Sequence, residues 1–267
     1  MIPELSASKV AGFIGLHKYQ NPNEIVYELL QKDIVGKLKI AECEKAYNRR
    51  SYSKLVNEVL RESPIMDCVS SGLAAAKKTT NVAGVLAEVE QQAAIVLDLR
   101  HDQFTPELKK RLADEVRGKV AKQRGLDNED GILNTYETAK EVKVTERNTK
   151  TIKKDFGTFK LVGRCDGYVA SEDRIVDSKD RTRLWPQVPL YDEIQLRAYM
   201  VMYDAKNAEL IERFPDRTTR STLYTNDADK WQSIHDGIQR GVEKMNLALD
   251  DEEELKRIVF LNTVEAV

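Results

Sequence analysis

The sequence predicts an α/β protein: a helical N-terminal region to about residue 124, then a core of mixed, mostly antiparallel strands flanked by helices. Three observations predict it. Apolar residues recur at three- and four-residue spacing from Ser6 to about Arg124, the mark of amphipathic helices. The pattern changes to period two in Glu141 to Val144, Thr158 to Val169 and Arg174 to Lys179, which reads as strands. Helical spacing returns after Pro189 and again after Asp227, with a short alternating run from Arg220 to Tyr224 between them.

Each element has a local reason. Ser6 or Ser8 caps a first helix carrying Val10, Phe13, Ile14 and His17. Asn21-Pro22-Asn23 breaks it and caps a second through Ile25, Leu29 and Leu30. AECEKAYNRRSYSKLVNEVL and GVLAEVEQQAAIVLDL continue the helical pattern. Thr105-Pro106-Glu107 opens a helix made strongly basic by Lys109, Lys110, Arg111, Arg117, Lys119, Lys122 and Arg124; a separate helix, LDNEDGILNTYETAK, is expected after Gly125. Such a basic face is ordinarily a solvated surface and in some proteins a nucleic-acid contact. Turns near Asp155-Phe156-Gly157 and Ser171-Glu172-Asp173 separate the strands, and Asp227 caps a last helix through Trp231, Ile234 and Ile238.

Composition narrows the function. At 267 residues the chain suits one large domain, read as a helical part with an insertion over 1–124 and a catalytic core over 125–267. Its 42 basic and 44 acidic residues leave a net charge of −2, so no global nucleic-acid footprint exists, although positive charge can be confined to a groove. Cys43, Cys68 and Cys165 form no CxxC pair, and His17, His101 and His235 are scattered. Structural zinc, iron–sulfur clusters and a disulfide framework are disfavoured. With no signal pattern at MIPELSASKV and no run near the roughly 18 apolar residues of a membrane span, an intracellular, soluble protein is expected. No glycine-rich phosphate loop or nucleophile elbow is present.

The chemistry concentrates in LVGRCDGYVASEDRIVDSKDRTR, residues 161–183. Asp177 and Lys179 stand two apart on a strand and so face one side; Asp166 reaches them across the hairpin. The chain holds other acid-x-Lys triplets, such as Glu107-Leu108-Lys109, whose plain reading is a surface charge pair worth roughly 0–1 kcal/mol. Only Asp177-Ser178-Lys179 follows a Gly163-Arg164-Cys165-Asp166-Gly167 run and is led by apolar Ile175 and Val176. Charges carried into a core must be paired or bind a metal, so the site is either a salt bridge or a metal centre. Two adjacent carboxylates raise each other's pKa, and a divalent cation removes that penalty. Oxygen ligands suit magnesium or manganese. On the following helix Gln195 and Tyr199, four apart, share the face that looks toward the hairpin.

With these residues in order, the chain resembles the PD-(D/E)XK nuclease superfamily, in its lambda-exonuclease-like (YqaJ-type) branch, which includes the alkaline exonucleases of large DNA viruses. The matching pieces are Leu5-Ser6-Ala7-Ser8, Gly125-Leu126-Asp127-Asn128-Glu129, the Gly163–Gly167 run, Asp177-Ser178-Lys179, and Gln195 with Tyr199. The resemblance implies a restriction-endonuclease-like core with a Mg²⁺ site, Mn²⁺ substituting. Asp166, Asp177 and the Ser178 carbonyl would ligate the ion, and Glu129 would hold it or its water. Lys179 would polarise the attacking water and Gln195 steady it. Ser8 would lie near a terminal phosphate, with Arg164, Arg181 and Tyr199 contacting DNA. Lys140, Lys143, Arg147, Lys150, Lys153, Lys154 and Arg183 would add phosphate contacts.

The implied activity is 5′→3′ digestion of duplex DNA from its ends, in recombination or replication of a viral or phage genome. A single-strand annealing partner and a homo-oligomer are compatible with it. A structure-selective endonuclease of the same fold and a catalytically silent DNA-binding module are the rival readings. Two departures stand out: the triplet carries Asp177 where glutamate is commoner, and the segment 32–102 matches no motif.

Overall fold

The computed structural model describes residues 1–266. Its centre is a four-stranded mixed sheet of β5 (Gly167–Val169), β6 (Arg174–Asp180), β7 (Asn207–Arg213) and β8 (Thr219–Thr225), in that order. β6 and β7 run parallel and the outer pairs antiparallel. The parallel pair is joined through helix α8 (Leu190–Tyr203), because parallel neighbours need a crossover. A second sheet holds β1 (Glu4–Ser6), β4 (Lys160–Gly163) and β3 (Ile152–Asp155), with β1 parallel to β4.

The expected strand from Thr158 to Val169 is therefore two strands, β4 and β5. The chain kinks at residues 164–166, where the Asp166 carboxylate takes the backbone N–H of Ser178 at 2.6 Å. Glu141 to Val144 is not a strand either; one bridge, Thr145 to Tyr168, is all that forms. The most consequential difference is β7, which the periodicity did not reveal. It is buried at every central position, including Glu209 and Glu212, so it shows neither alternation nor an apolar run.

Around the sheets lie α1 (Val10–Phe13), α2 (Pro22–Lys32) and α3 (Ile34–Ala46), then β2 (Arg49–Ser51), α4 (Tyr52–Val59), α5 (Ser63–Ala76), α6 (Val82–Arg100) and α7 (Pro106–Lys140). After β8 come α9 (Ala228–Asp250), α10 (Glu252–Asn262) and β9 (Thr263–Glu265), which pairs with β2. The two helices expected on either side of Gly125 are one helix of 35 residues, so the division at 124/125 falls inside it. Thr105 caps its start through Leu108 N at 3.2 Å. Interior glycines cost about 1 kcal/mol each, but packing along the whole helix offsets this. Its first half seals the α4–α7 cluster through Leu112, Val116 and Val120; its second half packs Ile132, Leu133 and Tyr136 against the sheet.

The unmatched segment thus gains a structure. Val82, Leu86, Val89, Ala93 and Leu97 form the buried stripe of α6, and Gly72 of α5 lies against Val89, where a Cβ would come within 2.3 Å of its Cγ2. No helix among the described residues is long and apolar enough to cross a membrane.

Candidate active site

Strand β6 carries its first four residues fully into the core and emerges at Ser178 and Lys179. The Asp177 side chain is 3 % exposed, with Oδ2 at 2.7 Å from Lys179 Nζ. The Lys179 ammonium is thus the partner of this buried oxygen. Its other oxygen, Oδ1, accepts a long hydrogen bond of 3.5 Å from Gln195 Nε2. Asp166, at the kink, accepts from both Ser178 N at 2.6 Å and Ser178 Oγ at 2.9 Å.

Helix α7 delivers Glu129. It is docked on the sheet by Tyr136, whose hydroxyl donates to Glu209 at 2.6 Å, and by Asn128, which donates to Asp180 at 2.7 Å. Glu129 itself accepts from Asn148 Nδ2. On the far side Gln195 Nε2 also donates to the Tyr199 hydroxyl at 3.2 Å. Gly163 makes that approach possible: a Cβ there would stand 2.7 Å from Tyr199 Cε1 and 3.1 Å from Ala7 Cβ.

The electrostatics follow from this crowding. Burial, with the Asp166 charge adding to it, lifts the Asp177 carboxyl to about 7 despite Lys179. Asp166 is raised by burial and by Glu129, against Lys179 and the two Ser178 hydrogen bonds. Burial raises Glu129 too, Asn148 opposing and Asp177 adding. For Lys179 burial works against the charge, but Asp177, Asp166 and Asp192 outweigh it and hold its pKa above the ordinary lysine value. Three carboxylates that resist ionisation face a single ammonium.

That arrangement fits a hard divalent cation. The donors are all oxygens, and a cation would offset the burial that keeps the Asp166 and Asp177 carboxyls from ionising. Among the described residues no three acidic, histidine or cysteine side chains close on one point. An ion held here would complete its coordination with the Ser178 carbonyl and water, as Mg²⁺ does.

Not every expected residue lies where it was assigned. Arg181 is 9 % exposed and locked between Asp192 at 2.7 Å and Glu212 at 2.8 Å; it cannot offer its guanidinium to DNA. Tyr199 is 5 % exposed and supports Gln195 from the core. Gln195 in turn touches the Asp177 carboxylate, an orienting contact. Arg164 is exposed on the kink. Ser8 is exposed in the turn after β1, its hydroxyl 3.0 Å from that of Ser6, at the same end of the second sheet as the kink.

Much of the expected positive charge is already neutralised. Arg147 meets Glu137 at 2.8 Å, Lys153 meets Glu4, and Lys154 meets Asp204 at 2.5 Å. Arg183 stands 4.5 Å over the Trp185 ring. Sequence reasoning missed Asn148, and it missed the buried network of Arg181, Asp192, Glu212 and Arg220, whose Nη2 reaches Glu212 at 2.6 Å. Acids among the apolar residues of AELIE, 208–212 in β7, were the available signal.

The mixed sheet brings two carboxylates and a lysine together where β6 leaves the core, a set of oxygens that could hold a hard divalent cation. The model of the PD-(D/E)XK nuclease superfamily matches residues 51–260, and the chain belongs to that superfamily, with its restriction-endonuclease-like fold. No curated protein sequence matches it. Among solved structures it is similar to an alkaline exonuclease from Laribacter hongkongensis, at 16 % identity and a TM-score of 0.42 over 70 % of this chain and 90 % of that one. The same enzyme in complex with dAMP gives 14 %, 0.40, 71 % and 90 % respectively. A phage related exonuclease from Haemophilus somnus 129PT gives 15 % and 0.38 over 53 % of this chain and 73 % of that one.

Proposed function

We propose that the protein is a Mg²⁺-dependent deoxyribonuclease that degrades duplex DNA from its ends, in the 5′→3′ direction. The observation that carries the reading is the buried Asp177 carboxyl, pushed up to about 7 by burial and by the Asp166 charge although Lys179 stands 2.7 Å away. Asp166, Asp177 and the Ser178 carbonyl are the proposed cation ligands, with Glu129 beside them. When bound, the cation supplies charge neutralisation at the phosphate and a more acidic water.

The residues divide the remaining work. Lys179, kept protonated by three carboxylates, holds positive charge where the phosphate oxygens gather negative charge. Gln195, braced by Tyr199, keeps Asp177 from turning away. The Asp166 carboxylate, held by two Ser178 donors, fixes the second ligand oxygen. Arg164, exposed on the kink directly before Asp166, is suited to a backbone phosphate, and Ser8 to a terminal one. Digestion of this kind would serve recombination of a phage or viral genome.

The test is digestion of a blunt linear duplex labelled separately at its 5′ and 3′ ends, with Mg²⁺ and with EDTA. Metal-dependent mononucleotide release from the 5′ ends is expected. Release from the 3′ ends would reverse the polarity, and cleavage of a closed circle would replace the exonuclease with an endonuclease.

A further inference from the structure

Between the α4–α7 unit and the sheet lies a cavity of about 370 Å³. Its walls come from residues 76–80 after α5, from the middle of α7, and from the turn joining β7 to β8. Five cations line it: Lys77, Lys78, Arg124, Arg213 and Arg217. Among the described residues no acid lines it; threonines, Thr80 and Thr219 included, and Asn128 share the wall with apolar Ala76, Phe214 and Pro215.

The neutralisation of these cations is incomplete. Lys77 meets Asp127 at 2.6 Å. A single carboxylate, Asp180, serves both Arg124 at 2.7 Å and Arg213 at 3.2 Å. Lys78 and Arg217 are exposed and have no acidic partner among the described residues. Arg124 is 6 % exposed, and while its Nη1 meets Asp180, its buried Nε finds no acceptor. Burial and then the nearby Arg213 depress its pKa, Asp180 opposing. A buried guanidinium with an unused donor is costly, and an anion in the cavity would relieve it. Planar guanidinium forks beside ammonium and hydroxyl groups match phosphate oxygens.

We propose that this cavity is a phosphate-binding site separate from the hydrolytic centre, its phosphate supplied by the DNA backbone or by a free nucleotide. The DNA source rests on the nuclease reading above. It is the favoured one because the cavity adjoins the hydrolytic centre along two elements. Asn128 precedes Glu129 on α7, and Asp180, which binds Arg124 and Arg213, follows Lys179 on β6. The inference also gives the segment around α5 and α6 a role. Lys77 and Lys78 come from that unit, Arg213 and Arg217 from the sheet, so one phosphate ties the two together.

The test uses the full chain and a Lys78→Gln/Arg217→Asn variant. Both positions are exposed, and asparagine tolerates the left-handed backbone of residue 217, φ 68°. Affinity for a short duplex is measured by fluorescence anisotropy in EDTA across a salt series. The variant's slope of log affinity against log salt is expected to be shallower by about one to two. In parallel, thermal unfolding is followed with pyrophosphate and with a deoxynucleoside monophosphate. An unchanged salt slope, with a nucleotide-induced midpoint rise that the variant loses, would assign the site to free nucleotide. Identical slopes and identical midpoints in the two proteins would overturn the proposal. Both readouts are taken without metal, so a wild type that binds phosphate here but cuts nothing with Mg²⁺ or Mn²⁺ would sink only the nuclease reading.

Discussion

Replacing Asp177 with asparagine should stabilise the metal-free protein while abolishing its activity. The carboxyl is 3 % exposed and its pKa rises from 3.8 to about 7 on folding, mainly through burial. Below pH 3.8 the group is protonated in both states and costs nothing. Between 3.8 and about 7 the folded chain keeps a proton that the unfolded chain releases, so stability falls as pH rises. Above pH 7 the full penalty applies, about 4 kcal/mol as an upper figure.

Asp177→Asn removes that penalty and keeps the Gln195 contact available. In EDTA at pH 8 it should unfold up to about 10 °C above the wild type, with a gain smaller by about 3 kcal/mol at pH 5. Mg²⁺ should raise the midpoint of the wild type at pH 8 and leave the variant unmoved, since only the former regains a ligand. Thermal denaturation by circular dichroism at the two pH values, with and without Mg²⁺, is the assay. A variant less stable than the wild type at pH 8 in EDTA would refute the reasoning about buried repulsion, and retained DNA cleavage would refute the ligand assignment.

Other outcomes follow from single contacts. Arg181→Met should cost about 3–5 kcal/mol in urea unfolding, because Asp192 would be left buried and unpaired and Glu212 would keep only Arg220; a neutral effect would reopen a surface role for Arg181. Arg164→Ala, exposed, should change stability by less than about 0.5 kcal/mol and reduce the salt slope of DNA binding by about one. Gly163→Ala should destabilise by about 1–3 kcal/mol and lower activity, since its Cβ would meet Tyr199 at 2.7 Å. Tyr199→Phe should fold normally yet cut more slowly, and an unchanged rate would remove its hydroxyl from the support of Gln195.

The local part of the site was readable along the chain. Asp177 and Lys179 share a strand face by periodicity alone, Gln195 and Tyr199 a helix face, and the apolar Ile175 and Val176 lead the charges inward. A strand or a helix sets those relations within a few residues, so spacing determines them. The helix starts at Pro22 and Pro106 were legible for the same reason: caps are local.

Tertiary structure decided the rest. Strand β7 is buried on both faces, and its Glu209 and Glu212 are tolerated only because Arg174, Arg181 and Arg220 reach them from other elements; no local pattern contains those partners. Arg181 was expected to contact DNA, but Asp192 and Glu212 close on it. Gly125 looked like a helix end, but packing on two separate cores carried α7 through it, and that continuous helix is what sets Glu129 within electrostatic reach of Asp166 and Asp177. Periodicity records which way a residue faces along its own element. Burial, pairing and the meeting of distant carboxylates depend on which elements fold against it, and those are set by contacts the chain makes only when it closes.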